Sequence, residues 1–327
     1  MEVKKLTEEE LEDYDNLVDN SYEGTVFHKS WWLKLFQNIA DIDYNVEFFG
    51  CYENKELVAG FPISYTKKYG KKIAKAPPLL TPYMGSFYIN KKLEKKYREI
   101  TWKKEINTKF AEILASFRFC SYSFSPWIND IQPFMWKFGK GYVGYTYILK
   151  LNNLDQIWKN MDRKRRNDIN KCYKQNYQIT FEEIDKFIEL NMKTFKRQKI
   201  TLMPPVFWEK VYQECKKHDS CEVFTGYIEN IPMASLFLVW DNKRSYYLSG
   251  GINENSHGAM SLLMWEAIKY TKEKLNLNEF DFEGSSDPDI EFYFRKFGGE
   301  IKPWYYIIKK PPIIVILSEI KRLLRGR

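Results

Sequence analysis

Two stretches decide the fold: Ser245–Tyr270, SYYLSGGINENSHGAMSLLMWEAIKY, and Phe280–Lys310, FDFEGSSDPDIEFYFRKFGGEIKPWYYIIKK. SYYLSGG has the aromatic and small residues of a strand. Apolar residues at three- and four-residue spacing make Ala259–Leu275 a long amphipathic helix. EFDFEG then reads as a strand, Ile290–Phe297 as a helix and WYYIIKK as a final strand.

Upstream in the same half, a helix is expected over Leu154–Lys174, then the strand YQITFE, two helical segments separated by Pro204-Pro205, and the strands CEVFTGYI and MASLFLVW. The first half has the same order. Thr7 and Glu10 form a capping-box pattern that starts a helix over Glu8–Asn20, and Ser30 caps Trp31–Ile39. VEFFGCY and ELVAGFPISY flank Glu53-Asn54-Lys55 as a hairpin, and Lys67–Lys72 is a basic turn. Pro77-Pro78 and Pro82 hold an extended stretch, helical spacing runs over Lys91–Phe117, and the strands Phe119–Phe124 and YVGYTYILKL close the half. FFGCYEN (Phe48–Asn54) and FTGYIEN (Phe224–Asn230) share F-x-G-x-x-E-N at an offset of 176 in a chain of 327 residues, which points to a tandem repeat. Antiparallel hairpins with helices between them give a mixed sheet of the α/β (α+β) class, not a parallel doubly wound one. The expected division is 1–152 and 153–310, with 311–327 a basic amphipathic tail.

The net charge of +8 suits anionic partners without choosing among phosphates, RNA and a membrane face. Five scattered cysteines without a C-x-x-C pair argue against a disulfide framework or a zinc site, and none of the three histidines is paired at ligand spacing. The N-terminus lacks the apolar core of a signal peptide, and no segment reaches the roughly 20 apolar residues of a membrane span. A cytoplasmic protein is expected, with PPIIVILSEIKRLLRGR offering either a peripheral contact with the anionic inner face of a membrane or a packed final helix. The second half holds the candidate chemistry. The loop from Gly250 and Gly251 to His257 and Gly258 runs into a helix start, where free backbone N–H groups favour an anion such as a donor phosphate. Period-2 alternation in FDFEG puts Asp281 and Glu283 on one face, beside Ser285, where they can take a proton from an attacking amine or form a solvated edge. Arg295 and Lys296 can hold a donor phosphate or acyl oxygen, or be exposed helix charges. In DRKRRNDINK, Arg163 and Arg166 share a helix face suited to acceptor phosphates, and Tyr247 either faces a cleft or packs. With no P-loop, no G-x-G-x-x-G and no nucleophile elbow, direct attack of a substrate amine is the chemistry that survives.

FHKSWWLKLF, ELVAGFPI, AKAPPLLTPYMGSFY and MDRKRRNDINKC, then YYLSGG, LLMWEAI, FDFEGS and FRKFGG, together resemble the FemABX-related tandem GNAT transferases of cell-wall and exopolysaccharide gene sets. The resemblance implies two GNAT-like domains and transfer to an amine, with acyl-CoA or aminoacyl-tRNA as co-substrate and no metal. It implies a nucleotide-sugar, glycan or peptidoglycan precursor as acceptor. Two readings compete as enzymes, an N-acyltransferase using a thioester and an aminoacyl-tRNA-dependent transferase; a non-catalytic membrane-surface assembly factor is the third. Phe294 stands where the family's Phe-Lys-x-x-Phe-Gly motif has lysine, and Asn253–Gly258 matches only the last glycine of the usual coenzyme A loop.

Overall fold

A computed structural model describes residues 1–38, 44–68, 70–74, 80–181, 184–199, 203–256 and 258–309. In chain order the elements are β1 (Glu2–Lys5), α1 (Leu11–Asn20), α2 (Ser30–Leu35), β2 (Asn45–Glu53), β3 (Glu56–Lys68), β4 (Lys71–Ala74), β5 (Phe87–Tyr88), α3 (Lys96–Ser116), β6 (Phe119–Ser123), α4 (Gln132–Phe138) and β7 (Gly141–Lys150). They continue as α5 (Leu154–Asn160), α6 (Arg163–Lys174), β8 (Gln178–Phe181), α7 (Ile184–Gln198), α8 (Pro205–Lys217), β9 (Cys221–Ile228), β10 (Ile231–Trp240), β11 (Arg244–Ile252), α9 (Ala259–Glu273), β12 (Glu279–Asp281), α10 (Pro288–Arg295) and β13 (Glu300–Lys309). No helix among the described residues is long and apolar enough to cross a membrane.

The chain forms two compact units, which are not contiguous halves. The first is Met1–Gly144 with the segment from Pro303, and the second is Tyr145–Lys302. In the first, β1, β2, β3 and β4 pair antiparallel in sequence, β4 pairs β6 in parallel, and β13 closes the sheet antiparallel to β6 with Tyr306 opposite Ser123. In the second, β8, β9, β10 and β11 pair antiparallel, β11 pairs β12 in parallel, and the end of β7 closes the sheet antiparallel to β12, with Ile148 opposite Asp281. Each sheet therefore takes its last strand from chain beyond its own five-strand run. This is why β13 from Pro303 onward, expected within 153–310, belongs to the first unit. The tail 311–327 lies outside the described residues, as do Pro77-Pro78.

The repeat is carried by the two matching hairpins. The β2–β3 turn has Asn54 and Lys55 at φ 51° and 70°, and the β9–β10 turn has Glu229 and Asn230 at φ 48° and 63°. Two left-handed residues in a two-residue loop match the right-handed twist of the strands they join. The expected helix over Leu154–Lys174 is two helices, because the Asp162 carboxylate accepts from Arg165 N and starts a new one.

The first core is aromatic: Phe61 stacks on Phe110 with centroids 4.9 Å apart and meets Tyr122 and Phe134. The buried Tyr122 hydroxyl donates to Pro62 O at 2.6 Å, so its burial leaves no polar atom unpaired. The second core lies between the β9–β12 sheet and α9, where Phe224, Leu236, Leu263, Ile268, Phe280 and Phe282 are buried together. All five cysteines are buried.

Candidate active site

The local turn after β12 sets up the candidate site. Asp281 is fully buried, and its Oδ1 accepts from Thr146 Oγ1 at 2.6 Å and from the backbone N–H of Glu283 at 2.8 Å. That second bond is an Asp-headed turn, which ends the strand at Asp281. The expected alternation through FDFEG is thereby corrected: Phe280 and Phe282 are both in the core, but Glu283 is not a strand residue. It has φ 59°, a left-handed conformation that is uncommon away from glycine. Gly284 follows at φ 72°, with Tyr145 O pressed where a Cβ would stand.

Asp281 is thus the residue that shapes the turn, and Glu283 is the one displayed by it. Glu283 Oε1 is buried and has no hydrogen-bond partner among the described residues. Burial, and then the Asp281 charge, push its carboxyl well above the ordinary range. The Tyr247 phenol is within electrostatic reach; burial pushes it up first, helped by Tyr293 and Glu283. Tyr246, its strand neighbour, points the other way and donates to Asp241 Oδ2 at 2.7 Å. Of the two tyrosines only Tyr247 belongs to this cluster.

Arg165 joins from α6. Its Nη1 donates to Ser261 Oγ in the first turn of α9 at 2.6 Å, and its guanidinium lies 4.3 Å from the centre of the Tyr293 ring. Asp168 Oδ2 is 3.5 Å away, and the Arg165 Nε is buried with no hydrogen-bond partner among the described residues. The sequence reading had singled out Arg163 and Arg166 instead. Arg163 is exposed; Arg166, like Arg165, is half-buried, and its Nε is also buried with no hydrogen-bond partner among the described residues. Arg165 was findable: with the buried Ile169 and Cys172 it makes an i, i+4, i+7 stripe, so it had to face inward.

The glycines of the proposed donor loop prove to be packed against neighbouring elements. A Cβ on Gly250 would meet the Tyr247 hydroxyl and the end of Met260, and one on Gly251 would collide with the Leu190 and Asn191 backbone of α7. Gly258 sits at φ 85° as the residue before α9, with Asp168 O 3.0 Å from its Cβ position, so α6 lies against this helix start. His257 lies outside the described residues. Gly251→Ala should therefore cost roughly 1–3 kcal/mol by overpacking, measured by denaturant unfolding; an unchanged midpoint would restore a ligand-facing role to this glycine.

Ser285 Oγ accepts from Asp287 N at 3.0 Å as part of the lead-in to α10. Arg295 approaches Glu291 at 3.5 Å and Phe292 at 5.0 Å, and Lys296 Nζ stands 4.0 Å from the same ring. Both cations thus gather about exposed Phe292, whereas Phe294 is buried against Tyr247 and Phe282. One group escaped the sequence reading altogether: Lys302, whose ammonium is pulled down to about 8 by burial, against the attraction of Glu279.

Residues 159–294 match the family model of the Acetyltransferase (GNAT) domain. The crystal structure of FemX superposes with a TM-score of 0.69 at 12% identity, covering 94% of this chain and 97% of that one. L-PGS from Bacillus licheniformis gives 0.55 at 11% identity over 98% of each chain. A tandem GNAT protein from the clavulanic acid biosynthesis pathway gives 0.52 at 7% over 93% and 97%. No curated protein matches in sequence. At these identities the structural likeness shows the fold alone, the tandem arrangement expected from the sequence, and the GNAT-domain match is confined to residues 159–294.

Proposed function

On the premise that this chain has the tandem GNAT fold of FemX, with a GNAT acetyltransferase domain over residues 159–294, we propose that its second unit moves an acyl group from a thioester to an amine of an amino sugar or cell-surface glycan precursor. The observation that carries the reading is Glu283: a carboxyl on a strained turn, its Oε1 buried and open to a partner, pushed up by burial. An amine acceptor arrives largely as an ammonium and must lose a proton before or during attack. A carboxylate with a raised proton affinity is better matched to that transfer than an ordinary one. The Tyr247 phenol, kept neutral by burial and within electrostatic reach, is suited to donate a hydrogen bond to the leaving sulfur.

Arg165 is the group we assign to the anionic part of the donor, since Ser261 and Tyr293 fix its guanidinium within the cluster; its Nε is open, as is that of Arg166 beside it. The aminoacyl-tRNA alternative is less supported: the position of the family's lysine is the buried Phe294, and Arg295 and Lys296 gather about Phe292 instead. The test is thiol release from acyl-CoA thioesters in the presence of amino sugars and UDP-amino sugars. Silence across a broad panel, with transfer from charged tRNA, would replace this reading by the alternative. Arg165→Lys keeps the charge but loses the stacked fork; KM for the donor is expected to rise about tenfold, with an unchanged circular dichroism melt. An unaltered KM would remove Arg165 from the donor site.

A further inference from the structure

The β3–β4 hairpin of the first unit pairs lysine with lysine. Lys67 is directly opposite Lys72 and Lys68 is directly opposite Lys71, across a turn containing Gly70 at φ 69°. Like charges in opposite register destabilise a ladder, and here there are two such pairs in succession. The Glu47 carboxylate accepts from Lys72 at 2.8 Å and also from Lys5 at 2.9 Å. Lys5, Lys71 and Lys72 also line an open trough of about 1400 Å³, with Lys109 and Arg118 on its α3 side and Glu2, Glu47 and Glu112 as its acids. Nothing in the acyl-transfer reading uses this surface.

We propose that the hairpin and trough hold an acidic glycan chain. A trough is concave, so a flat bilayer would reach its rim and not its floor. Its aromatic lining residues, Phe49 and Phe117, are half-buried and buried, leaving no exposed platform for stacked bases. Cations on both walls of the trough, Lys71 and Lys72 on one and Lys109 and Arg118 on the other, suit a flexible chain of carboxylates, each met by a charge with its own freedom to turn. The proposal deepens the acceptor reading above, on which it rests for the choice of a sugar polymer.

The probe is a labelled oligogalacturonate of about ten sugars, titrated by fluorescence anisotropy at low and at 150 mM salt against neutral dextran, an RNA hairpin and anionic phosphatidylglycerol vesicles. Wild type should bind the acidic oligomer, more weakly as salt rises. The variant Lys67→Gln/Lys68→Gln/Lys71→Gln/Lys72→Gln should bind roughly tenfold to a hundredfold more weakly while keeping the circular dichroism spectrum of the wild type. Should that variant not fold, Lys109→Gln/Arg118→Gln on the far wall must show the same direction of loss. Glu283→Gln should bind as wild type does, so that failure of catalysis and failure of this surface are told apart. Equal binding by the quadruple variant, equal binding of dextran, or preference for RNA or vesicles over the acidic oligomer overturns the proposal.

Discussion

Glu283→Gln is expected to lower turnover by roughly 10²- to 10⁴-fold, the range for loss of a positioned general base, and to leave the folded state as stable or more so. The two effects have one cause. Burial raises the Glu283 carboxyl above its unfolded value, so the folded chain binds that proton more tightly than the unfolded chain. The resulting contribution to stability is full below the unfolded value of about 4.3 and is lost as pH rises through the raised folded value. At neutral pH and above, the native side chain is therefore a liability that glutamine removes. Thermal melts should show Glu283→Gln gaining on wild type as pH increases, and little or no gain near pH 4. The rate profile should move in parallel, since the ascending limb of kcat/KM in wild type reports deprotonation of Glu283 and should vanish in the variant. If kcat is retained, or if the variant loses stability at pH 8, Glu283 is a structural residue and the catalytic assignment fails.

The tandem organisation was legible because it is written locally: the two F-x-G-x-x-E-N segments each end in a two-residue left-handed turn. Their registers differ by one, Asn54-Lys55 against Glu229-Asn230, which a shared motif cannot reveal. Most helices were legible for the same reason, since apolar spacing is a local signal. What escaped was non-local. Periodicity identifies β7 and β13 as strands but carries no information about which sheet each completes, so contiguous halves were the natural expectation. The carboxylates escaped for a different reason. Period-2 alternation presumes that the strand continues, and Asp281 ends it by capturing the N–H of Glu283. Arg165 was hidden by the charge density of its own helix; four basic residues among Arg163–Arg166 drew attention to charge, while the stripe through Ile169 and Cys172 held the information.

Arg244→Met is expected to destabilise the second unit by about 3–5 kcal/mol, the cost of stranding a buried charge. The sheet register explains why. Glu279 on β12 stands directly opposite Arg244 on β11 and Lys150 on β7, so one carboxylate is flanked on both sides by cations. Arg244 is 1% exposed and donates through Nε to Glu279 Oε2 at 2.7 Å, while Lys150 reaches Oε1 from a much wetter position. Burial alone would raise the Glu279 carboxyl, but Arg244 and Lys150 outweigh it and hold it below its ordinary value. Its contribution to stability is then present above the unfolded value of about 4.3 and is lost as pH falls through the depressed folded one. Two consequences separate this account from simple loss of packing. First, the deficit of Arg244→Met should shrink at acid pH, where its Glu279 can take a proton. Second, Arg244→Met/Glu279→Leu should recover part of the loss, because the stranded carboxylate is gone and Lys150 can turn to water, while Lys302 loses the attraction of Glu279 and Asp241 that of Arg244. Urea unfolding at pH 7 and pH 4 decides both. A single variant within 1 kcal/mol of wild type at pH 7, or a double variant no better than the single, would mean that the sheet holds its centre by packing and that this ion pair contributes little.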